Sequence, residues 1–395
     1  MKIKPFLITL LTLLSATSCL EEQNPAFDEK AFTKIYDNTE FDASYYPIDV
    51  QQTSEGGYLI LGGRRLENSS FAGIYILKAD KLGNFVRDYD VDESYVNPVG
   101  DFMKIGATYY FLCMDPLTLQ THIASVDMNG ESFTAIPVAS SLPYPAAAST
   151  DGNSILALSY NHVNKESVVS VIATAGTVSA SNGYSIGAGE GVEQPLVDHF
   201  LRTGYQFPFQ VGQSGSQYFF NGFYNYTFSL VFVDLSQNNP TGVVQGQQDD
   251  GGFSALLPLS GSTFAASRFN FGDNYLLPNV DLNTSGISSS TDLGGFSLPE
   301  LDQNAVVRII RATIQSQDVL VYGCNTKSNQ IGLYFYNAST GAFISSQYLG
   351  YSYPFEISAV KQTAEGDLIV CGTTYVTGRF PRFSLIKIAG DQIHL

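Results

Sequence analysis

The chain of 395 residues has no tryptophan, four methionines and four cysteines. It is also poor in charge, with 14% charged residues, and poorest in cations: Lys plus Arg number 20 against 37 Asp plus Glu, a formal charge of −17. A surface of that sign repels polyphosphate backbones, which argues against nucleic acid as a partner. No CxxC, Cys/His cluster or HExxH spacing points to a metal, and no P-loop, EF-hand loop, CxxCH or G-x-S-x-G elbow points to a cofactor or a serine nucleophile. The Gly187–Gly191 run, GAGEG, lacks the strand-and-helix context of a dinucleotide fingerprint and reads as a flexible loop. Helical periodicity is nearly absent. The apolar run Phe6–Leu14 is too short to cross a bilayer as a helix.

What is abundant is aromatic and glycine: 24 Tyr, 27 Phe and 36 Gly. Aromatic and β-branched residues suit strands, and glycine suits the turns between them. At the N-terminus, Lys2 and Lys4 precede the apolar run, small residues Ser15–Ser18 follow it, and Cys19 stands where cleavage is expected. This segment resembles a bacterial lipoprotein signal. It departs from the usual lipobox in having Ala16 three residues before the cysteine, a leniency familiar in Bacteroidota lipoproteins. Glu21 and Glu22 resemble the acidic surface-export tag of that phylum. The resemblance implies a signal peptide over 1–18, a lipidated Cys19, a tether over 19–30, and a protein anchored to the outer membrane, facing the periplasm or the cell surface. The plainer reading is a cleaved signal that leaves Cys19 an ordinary thiol. The other three cysteines, Cys113, Cys324 and Cys371, sit in apolar strand-like runs and read as buried free thiols.

Internal repetition organises the rest. Residues 53–80 and 363–389 share T-x-E-G, an apolar strand, a glycine, a polar loop and an alternating strand. Between them, weaker copies align on YLILGG (58–63), YYFLCM (109–114), ILALSY (155–160), YFFNGF (218–223), FAASRF (264–269), VLVYGC (319–324) and LIVCGT (368–373). A further strand follows each copy, a first strand precedes it, and most copies end on a glycine-led fourth strand such as GNFVRDY. Seven units of four short strands with a period of about 50 residues resemble the blades of a seven-bladed β-propeller, of the kind common in bacterial secreted proteins. The expected fold is therefore all-β, with a propeller over 31–395. The last copy is short of a fourth strand, and the lone segment AFTKIYD (31–37) is available to supply it. That exchange closes the ring and removes an exposed sheet edge.

In such a blade order, the loops between second and third strands share a face with the links between blades, where propeller sites usually lie. Those loops hold Arg64, Arg65, Glu67, His162, Lys165, Arg268, Asp273, Lys327, Arg379 and Arg382; the longest link, about 181–204, holds Glu190, Glu193, Asp198, His199 and Arg202. Arginine forks bind carboxylate, sulfate or phosphate in bidentate fashion. The expected site is thus one for an anionic glycan or peptide, or another envelope protein, with Arg64, Arg65, Arg268, Arg379 and Arg382 as ligands and His162 and His199 nearby. Arg64, Arg65, Arg379 and Arg382 fall at one blade seam. The competing reading is ordinary solvated loop charge. The expected function is non-catalytic binding; the alternative is a propeller-fold polysaccharide lyase or glycoside hydrolase, which requires converging carboxylates with His or Tyr.

Overall fold

A computed structural model describes residues 30–36, 44–350, 353–376 and 380–395. The expected signal peptide over 1–18, Cys19 and Arg379 therefore lie outside the described residues. After β1 (Phe32–Tyr36), the strands fall into seven successive antiparallel groups. The first is β2 (Tyr45–Gln52), β3 (Tyr58–Arg65), β4 (Ala72–Ala79) and β5 (Phe85–Asp90). The second is β6 (Val96–Ile105), β7 (Thr108–Met114), β8 (Thr121–Asp127) and β9 (Phe133–Pro137), whose β6 meets β4 of the first at the backbone bridge Gly73↔Val96. The third is β10 (Pro145–Thr150), β11 (Ile155–Asn161), β12 (Glu166–Ile172) and β13 (Val178–Ser185). A helix, α1 (Glu190–Phe200), follows.

The fourth group is β14 (Gln210–Ser214), β15 (Gln217–Tyr224), β16 (Thr227–Val233) and β17 (Gly242–Gln245). The fifth is β18 (Gly251–Ser260), β19 (Thr263–Asn270) and β20 (Asp273–Asp281); its chain then departs as β21 (Ile287–Ser289) to pair parallel with β17, and returns as β22 (Phe296–Ser297) beside β20. The sixth is β23 (Val307–Ile314), β24 (Gln317–Asn325), β25 (Ile331–Asn337) and β26 (Phe343–Leu349). The seventh is β27 (Phe355–Gln362), β28 (Leu368–Thr374) and β29 (Arg382–Ile388), whose free edge is taken by β1 in the register Phe32↔Lys387 to Tyr36↔Phe383. The two ends of the chain thus share one sheet.

The core lies between sheets. One cluster joins Leu59 and Ile76 of the first group to Phe111 and Val126 of the second. Others join second to third (Leu112, Ile123, Ile155, Ala157), third to fourth (Leu158, Val169, Phe220, Val231) and fourth to fifth (Phe219, Phe232, Phe253, Phe264). The fifth packs on the sixth (Ala255, Leu276, Leu320, Tyr334), and the sixth on the seventh (Val321, Phe335, Ile357, Val370). The last cluster returns from seventh to first, through Phe383, Leu385, Cys371, Tyr45, Tyr58 and Leu77. The middle strands of each sheet are covered on both faces, which is why they read as continuous apolar runs, while outer strands such as Phe343–Leu349 are largely exposed.

The repeated glycine of the second strands has a packing reason. A Cβ on Gly62 would lie 2.2 Å from the Phe383 ring and 2.6 Å from the Tyr46 carbonyl oxygen; one on Gly372 would lie 2.2 Å from the Glu356 carbonyl oxygen. Neighbouring chain occupies the space that any side chain there would need. Cys113, Cys324 and Cys371 are buried free thiols, and burial raises the pKa of each.

Candidate functional site at the channel mouth

The innermost strands β2, β6, β10, β14, β18, β23 and β27 surround a channel. A cavity of about 690 Å³ is lined by residues from all seven, among them Ile48, Asp101, Ser149, Gln210, Leu256, Arg308 and Lys361. A second cavity of about 360 Å³ lies at the end where the inner strands begin, lined by Tyr46, Asn97, Pro145, His199, Arg202, Gln206, Arg308, Glu356 and Thr373. Register fixes which loops share that end. Tyr45 stands opposite Arg64, and Gly251 opposite Asn270, so the loops between second and third strands open beside the mouth.

Helix α1 shapes the mouth. Its buried residues Val192, Leu196 and Phe200 lie four apart, on one face. Phe200 packs at a tilt on Tyr144, 4.8 Å between centroids, and its carbonyl accepts from Asn97 Nδ2 at 2.9 Å, while Asn97 Oδ1 accepts the Ala72 backbone N–H at 3.0 Å. The link between third and fourth groups is thereby fastened to the first and second, across the mouth. Helix α1 corrects the expectation of a flexible loop at 187–191, since Glu190 and Gly191 already belong to its first turn.

Just past the helix, the Arg202 guanidinium carbon lies 5.5 Å from the centre of the Tyr46 ring. Arg308 donates from Nε to the Ser358 carbonyl at 2.6 Å and from Nη1 to the Val307 carbonyl at 3.2 Å. Among the described residues, no carboxylate lies within ion-pair distance of Arg202 or Arg308. The one carboxylate lining the mouth cavity is Glu356; burial and the charge of Asp302 raise its pKa. His199 accepts the Phe207 N–H through Nδ1 at 3.1 Å and lies 4.7 Å from the Phe209 ring; burial and Arg202 push its pKa down to about 3. It is neutral at physiological pH.

The other expected site residues are placed as follows. Arg64 and Arg382 each lie beside Tyr45, at the seam between first and seventh groups. Tyr45 is the register partner of Arg64, and the Arg382 guanidinium lies 6.0 Å from the Tyr45 ring. Arg382 is only 2% exposed, and Arg64 lies 3.8 Å from Glu93. Arg65 is exposed at the end of β3. Arg268 is elsewhere: it is buried in the fifth group, 3.8 Å over the Tyr275 ring, with Nε donating to the Gly294 carbonyl at 2.8 Å. His162 is exposed against Tyr144, and Glu193 is engaged by Lys165 and by the Tyr160 hydroxyl at 3.0 Å. Among the described residues, no group of three or more His, Cys, Asp or Glu is placed to hold a metal.

Deeper in the channel is a charged knot. Lys361 Nζ lies 3.1 Å from Asp49 Oδ1 and 2.9 Å from Asp101 Oδ2, joining the seventh, first and second groups. Asp49 is fully buried and also accepts the Phe102 N–H at 2.9 Å and Gln51 Nε2 at 3.1 Å. Burial and the neighbouring Asp101 charge push its carboxyl up to about 6 against the pull of Lys361.

No family model and no curated protein matches the chain. Solved structures do. The β-propeller domain of the Trilobed protease from Pyrococcus furiosus aligns over 88% of this chain and 95% of its own, at 10% identity and a TM-score of 0.48. BamB from Moraxella catarrhalis aligns over 90% and 98%, at 9% identity and 0.42, and a protein of unknown function from Bacteroides caccae over 84% and 83%, at 9% and 0.34. At that distance nothing about ligand or chemistry passes from those proteins to this one.

Proposed function

We propose that this chain is a seven-bladed β-propeller lipoprotein of the bacterial outer membrane, anchored through Cys19, that binds an anionic glycan or peptide without transforming it. The seven seam clusters, each joining consecutive sheets and the last joining seventh to first, support the blade count. The pairing of β1 with β29 supports closure by the N-terminal strand.

The observation that carries the binding reading is the pair Arg202 and Arg308. Both line the mouth cavity, neither has a carboxylate partner among the described residues, and the chain around them carries −17. Guanidinium groups with no carboxylate in ion-pair contact suit a ligand carboxylate, with the Tyr46 ring as an apolar wall for a sugar face. Arg64 and Arg65 belong to the rim on this reading, while Arg268 and Arg382 hold the walls.

Calorimetric titration with an oligogalacturonate, a tetraglutamate peptide and the uncharged galactose oligomer tests this. The charged probes bind, more weakly as salt rises, and the uncharged oligomer does not. Arg202→Ala or Arg308→Ala each costs about 1–3 kcal/mol of binding, the range for charge-assisted hydrogen bonds. Binding that ignores both salt and these arginines sinks the reading.

A further inference from the structure

The chain leaving α1 delivers polar side chains to the mouth in succession. His199 stands in the last turn of the helix. Arg202 follows in the left-handed backbone region, at φ 53°, where the chain turns away from the helix axis. Gln206 comes shortly after, and all three line the mouth cavity together with Tyr46, Arg308 and Glu356.

His199 differs from the two arginines in offering a single, neutral donor whose place on the ring is fixed. A backbone N–H only donates, so the Phe207 N–H, 3.1 Å from Nδ1, makes that nitrogen the acceptor and leaves the ring proton on Nε2. The ring is held among Phe200, Phe209 and Phe207, with centroids 5.3, 4.7 and 6.4 Å away. Burial and the nearby Arg202 charge keep it from taking a second proton. Among the described residues, none accepts from Nε2–H. A half-buried donor without an acceptor is costly, so its position marks where an atom from outside the chain belongs.

We infer that His199 Nε2–H is the specificity-determining donor of the mouth and that the ligand is a uronate, whose carboxylate goes to Arg202 and Arg308 while a neighbouring sugar oxygen accepts from His199. The inference rests on the reading of the mouth as an anion site and narrows it to one ligand class. In a uronic acid, the carbon that bears the carboxylate also bears the ring oxygen, so an acceptor lies beside the charge. In an acidic side chain the neighbouring carbon carries only hydrogen. At a peptide C-terminus the neighbour is an N–H, which would set a donor against a donor. A sugar hydroxyl also donates to Glu356, the one carboxylate lining the cavity, and the pyranose face has the Tyr46 ring to lie on.

Tetragalacturonate and N-acetyl-tetraglutamate amide, with four carboxylates each, separate the donor from the charge in calorimetric titrations. Wild type binds the sugar more tightly. His199→Phe keeps the aromatic packing and loses Nε2–H, and the preference for the sugar over the peptide falls about tenfold, the scale of one hydrogen bond. His199→Gln, whose amide accepts from Phe207 and still donates, restores most of that preference. A measurement on wild type itself does not depend on how the variants fold: with isotope-labelled histidine, tetragalacturonate shifts the nuclear magnetic resonance signal of His199 Nε2–H. A preference for the peptide, an unchanged preference in His199→Phe, or an Nε2–H signal that the sugar leaves in place overturns the inference. If both probes still bind in a manner that depends on salt and on Arg202, the anion reading survives that failure; if neither probe binds, both fall.

Discussion

Removing the cation from the channel knot by Lys361→Met is expected to be severe and dependent on pH. Asp49 has no exposure and sits beside Asp101, so without Lys361 its charge is buried and uncompensated. Breaking a buried ion pair from one side costs about 3–5 kcal/mol. The sign of the pH dependence follows from the carboxyl. Its folded-state pKa, about 6, is raised above the ordinary 3.8, so the stability it confers is fully present below the unfolded value and is lost as pH rises through the folded one. In the variant the folded value rises further, because the cation that opposed burial is gone. The deficit against wild type should therefore be largest near pH 7 and shrink as pH falls towards 5. Urea unfolding followed by far-ultraviolet circular dichroism at pH 7 and pH 5 reads both quantities. A variant within 1 kcal/mol of wild type at pH 7, against the ~3 kcal/mol expected, refutes the reasoning, as does a deficit that does not change with pH.

Other outcomes follow from the same geometry. Deleting residues 20–36 removes β1 and exposes the edge of β29, so the melting temperature falls by many degrees and the protein self-associates; a shift within error shows that β1 adds nothing to the sheet. Phe383→Ala at the seam between first and seventh groups costs about 3–5 kcal/mol by opening a cavity among Tyr45, Tyr75 and Leu385, read by urea midpoint. His199, with its folded-state pKa pushed down to about 3, lowers stability as pH falls below its unfolded value; His199→Gln should flatten that acid limb, and an unchanged limb assigns it to other groups. Cys19→Ala abolishes partition of the protein with membranes, and unchanged partition removes the lipid anchor from the account.

The repeat was legible because each middle strand is covered on both sides, which forces an apolar run with a glycine at the point of closest approach. All seven aligned second-strand segments form strands, from Tyr58–Arg65 to Leu368–Thr374, and the lone segment at 31–37 contains β1. Helix α1 was not legible: Pro195 lies inside it, a glycine run precedes it, and Val192, Leu196 and Phe200 are too few to mark a period. The mouth was legible as a face but not as a set of residues. Loop arginines stand out in a sequence, yet Arg268 and Arg382 fold back to be buried. Arg308, Tyr46 and Glu356 are inner-strand residues whose facing depends on register, and bulges such as that between Pro47 and Asp49 shift the register locally.

The binding claim is tested most directly by a crystal structure of the protein with an oligogalacturonate. The account predicts a sugar carboxylate between the guanidinium groups of Arg202 and Arg308, with a sugar face against Tyr46 at the channel mouth. A carboxylate bound elsewhere, with the mouth left to solvent, contradicts it.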